Sequence, residues 1–342
     1  MGDRASYILE EKKQIFITGA SGYIGQRLAL QLAESGVLVH ALVRNIDTSK
    51  KLLLHKNLVL FKGDIFDTDS ILSAMKNCSE VYHLAALASV WNRDKKAFDR
   101  VNVTGLKNVI ECAIKLKIKN FLFTSTAGVI GDSWNGKPVA EASNTQPKLE
   151  TLYEQSKLKA EALLKSYWSE DFSPVMVNPS RVYGPGLLTE SNGFTRLLKM
   201  YINGSWKINP AGGKSIGNYV FIDDVLDGML SAMESAKPCQ RYLLGGIDVS
   251  YKDFFIMVDE ITGTKRKLYN APMFVMLFVS RLQLMMAYCF NKQPLITPSF
   301  VRKYNKHWMV DSSKAKSELN YKVTPLKTGL KKTLEWLETK SL

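Results

Sequence analysis

The sequence predicts an α/β chain: a doubly wound, parallel sheet with helices on both faces, followed by a smaller C-terminal lobe. Three observations carry that expectation. Apolar runs of strand length recur through the first 180 residues, separated by segments with helical periodicity. A glycine-rich turn follows the first run, and beyond Arg181 the alternation gives way to Gly and Pro punctuation.

The first unit is Ile15-Phe16-Ile17, the turn Thr18-Gly19-Ala20-Ser21-Gly22-Tyr23-Ile24-Gly25, a helix over Tyr23 to Glu34, and a second strand over Val37 to Val43. Glycine permits positive φ and lets a pyrophosphate approach main-chain N–H groups, while the following helix turns its positive end toward the anion. GxxGxxG spacing alone occurs by chance in a chain with 22 glycines. Between a strand and a helix it reads as the dinucleotide-binding turn of a Rossmann sheet.

Further strands are expected at Asn57 to Phe61, Glu80 to Leu84, Asn120 to Thr124 and Pro174 to Val177. Gly184-Pro185-Gly186 and Pro210-Ala211-Gly212-Gly213 mark loops. Tyr219 to Val225 reads as a strand entering a helix capped by a carboxylate. The expected division is a nucleotide-binding domain over 1–180 and a mainly substrate-binding lobe over 181–342, with 218–245 returning to the main body.

At 342 residues and 46% hydrophobic content the chain can fill a large core. No apolar run of signal-peptide length stands near Met1, so a cytoplasmic protein is expected. Met1-Gly2 with Ser6 formally fits a myristoylation pattern, but Asp3 is a poor neighbour for it. Cys78, Cys112, Cys239 and Cys289 are far apart and lack ligand spacing; buried free thiols and no metal are expected. The net charge of +14 is uneven: residues 263–342 hold 15 Lys plus Arg against 4 Asp plus Glu. No aromatic-interleaved RNA motif or zinc spacing accompanies this charge, so nucleic acid is not an expected partner.

Tyr153 and Lys157 stand at i and i+4 in a helix-forming segment, Leu152 to Tyr167, soon after a hydroxyl-rich strand exit, Thr124-Ser125-Thr126. A phenol with pKa about 10 relays protons poorly at neutral pH; roughly 4 kcal/mol of interaction with a nearby ammonium and a cationic nicotinamide would bring it near neutrality. With 14 tyrosines such a pair arises by chance, and Tyr288 with Lys292 is a decoy inside an apolar stretch. Position after the strand singles out Tyr153.

Together these motifs make the chain resemble an extended short-chain dehydrogenase/reductase, the superfamily of sugar-nucleotide epimerases, dihydroflavonol reductases and 3β-hydroxysteroid dehydrogenases. The resemblance rests on Gly19, Gly22 and Gly25, Gly63-Asp64, His83-Leu84-Ala85-Ala86, Asn102 to Val109, Thr124 to Ala127, Tyr153 with Lys157, and Asn178 to Pro185. It implies that Thr126, Tyr153 and Lys157 are catalytic: Thr126 holds the substrate carbonyl oxygen, Tyr153 exchanges the proton, and Lys157 binds the nicotinamide ribose and lowers the phenol pKa. It implies cofactor contacts from Gly19, Ser21, Gly22, Tyr23, Ile24 and Gly25, from Asp64 (toward adenine) and Ile65, from Ala85 and Ala86 beneath the cofactor, and from Asn102, Pro179 and Ser180. A homodimer is expected by analogy.

Arg44 falls 19 positions after Gly25, where an NAD enzyme places a ribose-binding carboxylate. A guanidinium there suits a 2′-phosphate, so NADP is expected over NAD. Ala127-Gly128 stands where 4,6-dehydratases carry Asp-Glu, and Gly217-Asn218 where sugar-nucleotide enzymes carry an arginine for the diphosphate. The expected reaction is hydride transfer to or from a carbonyl or secondary alcohol of an apolar small molecule. Sugar-nucleotide epimerisation and a non-catalytic NADP-binding scaffold are the alternatives.

Ala271 to Phe290 is an almost unbroken apolar run flanked by Lys265-Arg266-Lys267 and Lys292. Its central Arg281 costs about 2.5–3.5 kcal/mol in a membrane span, which argues against crossing. A buried or lid helix over an apolar substrate is expected, with peripheral docking on an anionic bilayer as the other reading.

Overall fold

The computed structural model describes residues 12–133, 136–143 and 147–339. The Met1-Gly2 and Ser6 pattern lies outside the described residues. The chain runs β1 (Gln14–Thr18), α1 (Tyr23–Glu34), β2 (Leu38–Val43), α2 (Ile46–Lys50), β3 (Leu58–Lys62), α3 (Thr68–Met75) and β4 (Glu80–His83). Next, α4 (Ala97–Asp99) passes through a π turn into α5 (Gly105–Lys115), followed by β5 (Asn120–Thr124), α6 (Leu152–Ser166) and β6 (Ser173–Pro179). β5 has the expected bounds, and the other strands depart from the sequence expectation by at most two residues at an end, as is usual where ends fray.

β1 to β6 form a parallel sheet with β10 (Arg241–Leu244), in the order β10-β6-β5-β4-β1-β2-β3. This is the expected doubly wound architecture. Alternation along the strands divides the core into two layers. Ile15 and Ile17 pack with Leu28 and Leu32 of α1 on one face, whereas Phe16 packs with Ile71 of α3 and Val109 of α5 on the other. Strand order reverses between β1 and β4, and the carboxyl ends of those two strands open the crevice where such sheets bind ligands.

Beyond β7 (Arg181–Tyr183), α7 (Gly193–Ile202) and β8 (Ile208–Pro210), a second sheet forms in the order β11-β9-β7, from β9 (Ile216–Phe221) and β11 (Ile247–Ser250). Between them, α8 (Ile222–Ser235) packs on β5 and β6 of the main sheet. The predicted carboxylate cap on α8 is corrected: the N-cap is Phe221, with no side-chain bond, because Asp224 accepts instead from the backbone and hydroxyl of Thr324.

The rest comprises α9 (Tyr251–Thr262), β12 (Tyr269–Ala271), α10 (Met273–Phe290), α11 (Pro298–Lys303), α12 (Ser313–Leu319) and α13 (Leu326–Thr339). The expectation that the helix over 271–290 is buried is corrected. Only Met276, Ser280 and Ala287 of α10 are buried; the helix packs on α11 with one narrow stripe and leaves its other sides open. The thiol expectation also fails in part, since Cys239 is half-buried and Cys289 lies exposed on α10.

Candidate active site

The glycine turn is built by close backbone approach. Gly19 sits at φ +76°, and a Cβ there would lie 2.6 Å from the Ala85 nitrogen. A Cβ on Gly25 would lie 2.2 Å from the Gly19 carbonyl oxygen, which accepts from the Gly22 amide at 2.9 Å. α1 starts without a side-chain cap and without an acidic residue in its first turn. The orphan N–H groups at its start are therefore free to meet an anion. This cradle fits the pyrophosphate of a dinucleotide. Ser21 is exposed beside it and Ile24 half-buried. The Tyr23 ring instead turns into the core, where its hydroxyl donates to the Gly184 carbonyl at 3.1 Å, so Tyr23 offers a ligand only its backbone.

Along the sheet edge, Arg44 is exposed immediately after β2 and enters no ion pair among the described residues. Asp64, two residues beyond β3, accepts from the Phe66 amide at 3.0 Å through one carboxylate oxygen. Ile65 packs against Gly105, and its carbonyl accepts from Asn108 at 2.9 Å. Past β4, the Ala85 amide donates to the Thr18 hydroxyl at 3.3 Å and Ala86 is half-buried. Asn102 is used structurally: its oxygen accepts from the Leu87 amide at 2.7 Å and its amide donates to the Ser156 hydroxyl at 2.8 Å. It ties the loop after β4 to α6.

α6 begins with a capping box in which Thr151 and Glu154 satisfy each other's backbone amides. Tyr153 is half-buried in that first turn, and Lys157 follows one turn later, almost fully buried. Thr126 ends the β5 segment as the N-cap of a 3-10 turn, Ala127–Ile130, its hydroxyl oxygen accepting from the Gly128 amide at 3.2 Å. The hydroxyl proton of Thr126 remains available to a carbonyl oxygen. Gly128 lets α6 close in, since a Cβ there would lie 2.7 Å from a Glu154 carboxylate oxygen.

In the apoprotein the phenol is raised and not lowered as expected. Lys157 donates to the Thr124 carbonyl at 2.6 Å and stands 4.3 Å above the Phe123 ring. Burial pushes the Tyr153 phenol above its ordinary value, and the charge acting on it is the neighbouring Glu154. Burial likewise pulls Lys157 down to about 7, partly opposed by Glu161. His83 is buried, its Nδ1 2.9 Å from the Thr18 hydroxyl; burial, with Lys157 nearby, lowers it to about 3 and keeps it neutral.

The lowered Lys157 value makes a stability prediction. Between pH 7 and 10.5 the unfolded chain holds a proton on this amine that the folded chain has released, so stability from this group rises with pH across that window. A Lys157→Met apoprotein is expected to lose that rise: thermal melts from pH 6 to 10 should show a smaller upward slope than the parent. Parallel slopes would refute the lowered Lys157 value.

Beside Thr126 lies a cavity of about 90 Å³ that Ser180, Arg181, Asn218, Lys303 and Trp308 help to line. Tyr153 is not among its lining residues; it stands next to Glu154, which pairs with Lys303. Pro179 ends β6, and the Ser180 hydroxyl donates to Asn218 at 2.6 Å. Arg181 donates to the Tyr219 hydroxyl at 3.2 Å and occupies the space above Gly217, where a Cβ would lie 2.3 Å from it. Thus the predicted Thr126 and Ser180 meet at one cavity, Lys157 anchors to the end of β5, and Gly19 meets Ala85. Sequence reasoning missed Lys303, Glu154 and Arg181 as site residues. Thr151-x-x-Glu154 was a readable capping signal and Arg181 stood within a recognised motif, but nothing near Lys303 announced its placement.

A model of the NAD dependent epimerase/dehydratase family matches residues 15–245. The bifunctional dihydroflavonol 4-reductase/flavanone 4-reductase of Malus domestica is 29% identical over 284 residues, covering 77% of this chain and 79% of that protein. The 4-hydroxy-2-methyl-3-oxo-4-farnesyl-3,4-dihydroquinoline-1-oxide ketoreductase of Stigmatella aurantiaca is 28% identical over 262 residues, covering 75% of each. The fold is shared with the crystal structure of UDP-glucose 4-epimerase from Thermotoga maritima, at a TM-score of 0.79 and 23% identity, covering 96% of this chain and 100% of that one.

Proposed function

We propose that this chain, which belongs to the NAD dependent epimerase/dehydratase family, moves hydride between NADP and the carbonyl or secondary alcohol carbon of a small molecule with an apolar body. It is an NAD(P)-dependent enzyme of the extended short-chain dehydrogenase/reductase type. The observation that carries the redox reading is that α6 holds Tyr153 one turn before Lys157, and Lys157 bonds the end of β5, two residues before Thr126. When bound, the nicotinamide supplies or accepts the hydride. The Thr126 hydroxyl orients the reacting oxygen, and Tyr153 gives it a proton or removes one.

Burial and Glu154 hold the phenol above its ordinary value in the apoprotein, so it rests protonated, the form from which a carbonyl reduction starts, while the same shift makes it a weaker donor. The similarity to proteins named reductase and ketoreductase agrees with this reading. The exposed Arg44, free of carboxylate partners among the described residues, supports NADP through its fit to a 2′-phosphate.

The test is oxidation of NADPH and NADH by the purified protein with a panel of apolar ketones. NADPH oxidation with formation of the alcohol is expected. Bound NADPH that no ketone oxidises would leave a scaffold, and tightly held NAD without net turnover would leave an epimerase. Arg44→Ala should weaken NADPH binding by roughly 10- to 100-fold, the worth of a charge-assisted pair, and leave NADH binding unchanged. Equal weakening of both cofactors would overturn the assignment of Arg44.

A further inference from the structure

α10 is inverted relative to a helix on a soluble surface. Its inward stripe includes the polar Ser280 and Gln283, whereas its outward sides present Phe274 (74% exposed), Phe278 (68%), Met285 (58%) and Phe290 (67%). Arg281 is the one charged side chain in the helix. Apolar surface on this scale marks an interaction site.

Charge identifies what covers it. Between Glu260 and Asp311 the chain has no Asp or Glu but 8 Lys and Arg. Three of these, Arg302, Lys303 and Lys306, pair with carboxylates of the catalytic body. Lys265, Arg266, Lys267, Arg281 and Lys292 are exposed, enter no ion pair among the described residues, and lie just before, within and just after α10. Apolar residues flanked along the chain by cations without carboxylate partners, of which Arg266 donates to the Ile202 carbonyl, complement a bilayer surface, where hydrocarbon takes the rings and anionic headgroups take the cationic groups. A second copy on the same face fits poorly, because a twofold contact would bring two such cation sets together. Crossing is opposed by Arg281 and by the packing of the inward stripe on α11.

We propose that the outward face of α10 docks on an anionic lipid bilayer. The docked helix lies in the interface plane, its phenylalanine rings among the acyl chains and Arg281 extended toward headgroups. Two contacts connect this surface to the catalytic body. α10 packs on α11, whose last residue is the cavity-lining Lys303. At the other end, Tyr288 meets the Trp91 ring edge-on at 5.5 Å, and Gln293 donates to Ser89 at 2.8 Å, on the loop that leads from Ala85 and Ala86. The bilayer would therefore lie against the C-terminal side of the catalytic crevice.

The experiment is co-sedimentation of the full chain with vesicles of phosphatidylcholine alone and of equal parts phosphatidylcholine and phosphatidylglycerol. Binding to the anionic vesicles is expected, with little to the neutral ones. A Phe274→Ser/Phe278→Ser/Phe290→Ser variant should remain folded by circular dichroism and stay in the supernatant. Lys265→Glu/Lys267→Glu should lower partitioning roughly fivefold or more for each position changed. Parent protein left in the supernatant, or variants that sediment like the parent, would overturn the proposal. So would a parent dimer that the serine variant converts to monomer without any vesicle binding. The readout is partitioning and not turnover, so it stands apart from the redox reading.

Discussion

Tyr153→Phe is expected to lower turnover by about 10²- to 10⁴-fold while NADPH affinity stays within about twofold of the parent, the signature of losing one positioned proton relay. The phenol oxygen makes no hydrogen bond with any described residue, so its removal leaves no donor or acceptor stranded, and the capping box of Thr151 and Glu154 that starts the helix is untouched. Stability should therefore hardly move. Burial and Glu154 both raise the phenol in the apoprotein, and Lys157 donates to the Thr124 carbonyl. Steady-state kinetics with separate cofactor titration check the prediction; comparable turnover in the phenylalanine variant would remove Tyr153 from the chemistry.

Gly25→Ala carries the second large effect. The added methyl would stand 2.2 Å from the Gly19 carbonyl oxygen and 2.8 Å from its carbon, both rigid backbone atoms, so the turn itself must open. Opening it moves the α1 amides that would receive the pyrophosphate. Cofactor binding should fall by roughly 100-fold or more, together with a stability loss of about 1–3 kcal/mol from overpacking. Gly193→Ala is the control, since nothing lies within 4 Å of a Cβ there. Fluorescence titration with NADPH and thermal melts distinguish the two, and Gly25→Ala binding like the control would show that the cradle does not bind cofactor.

Much of the core was legible because it depends on local pattern. Alternating apolar runs became parallel strands, and Gly19 to Gly22 became the turn between β1 and α1, with Gly25 in the first turn of the helix. Thr151-x-x-Glu154 set the start of the helix that carries Tyr153 and Lys157. What stayed hidden depends on long-range contact. Tyr23 lies inside the glycine motif, yet its ring is drawn into the core by the Gly184 carbonyl, 161 positions away. Asn102 is consumed by Leu87 and Ser156, and Asp224 by Thr324. Each polar group went to a partner that no sequence window contains.

The amino-acid order by itself determined the class of fold, the dinucleotide-type turn and the spacing of the phenol and amine, because helical and strand periodicities and glycine's freedom are local properties. Tertiary structure decided where the Lys157 ammonium points, which cations reach the cavity beside Thr126, and that α10 turns its phenylalanines outward. These depend on packing between elements distant in sequence. An apolar helix reads the same whether its rings meet a core or a bilayer, and only the neighbouring surface that is left uncovered tells the two apart.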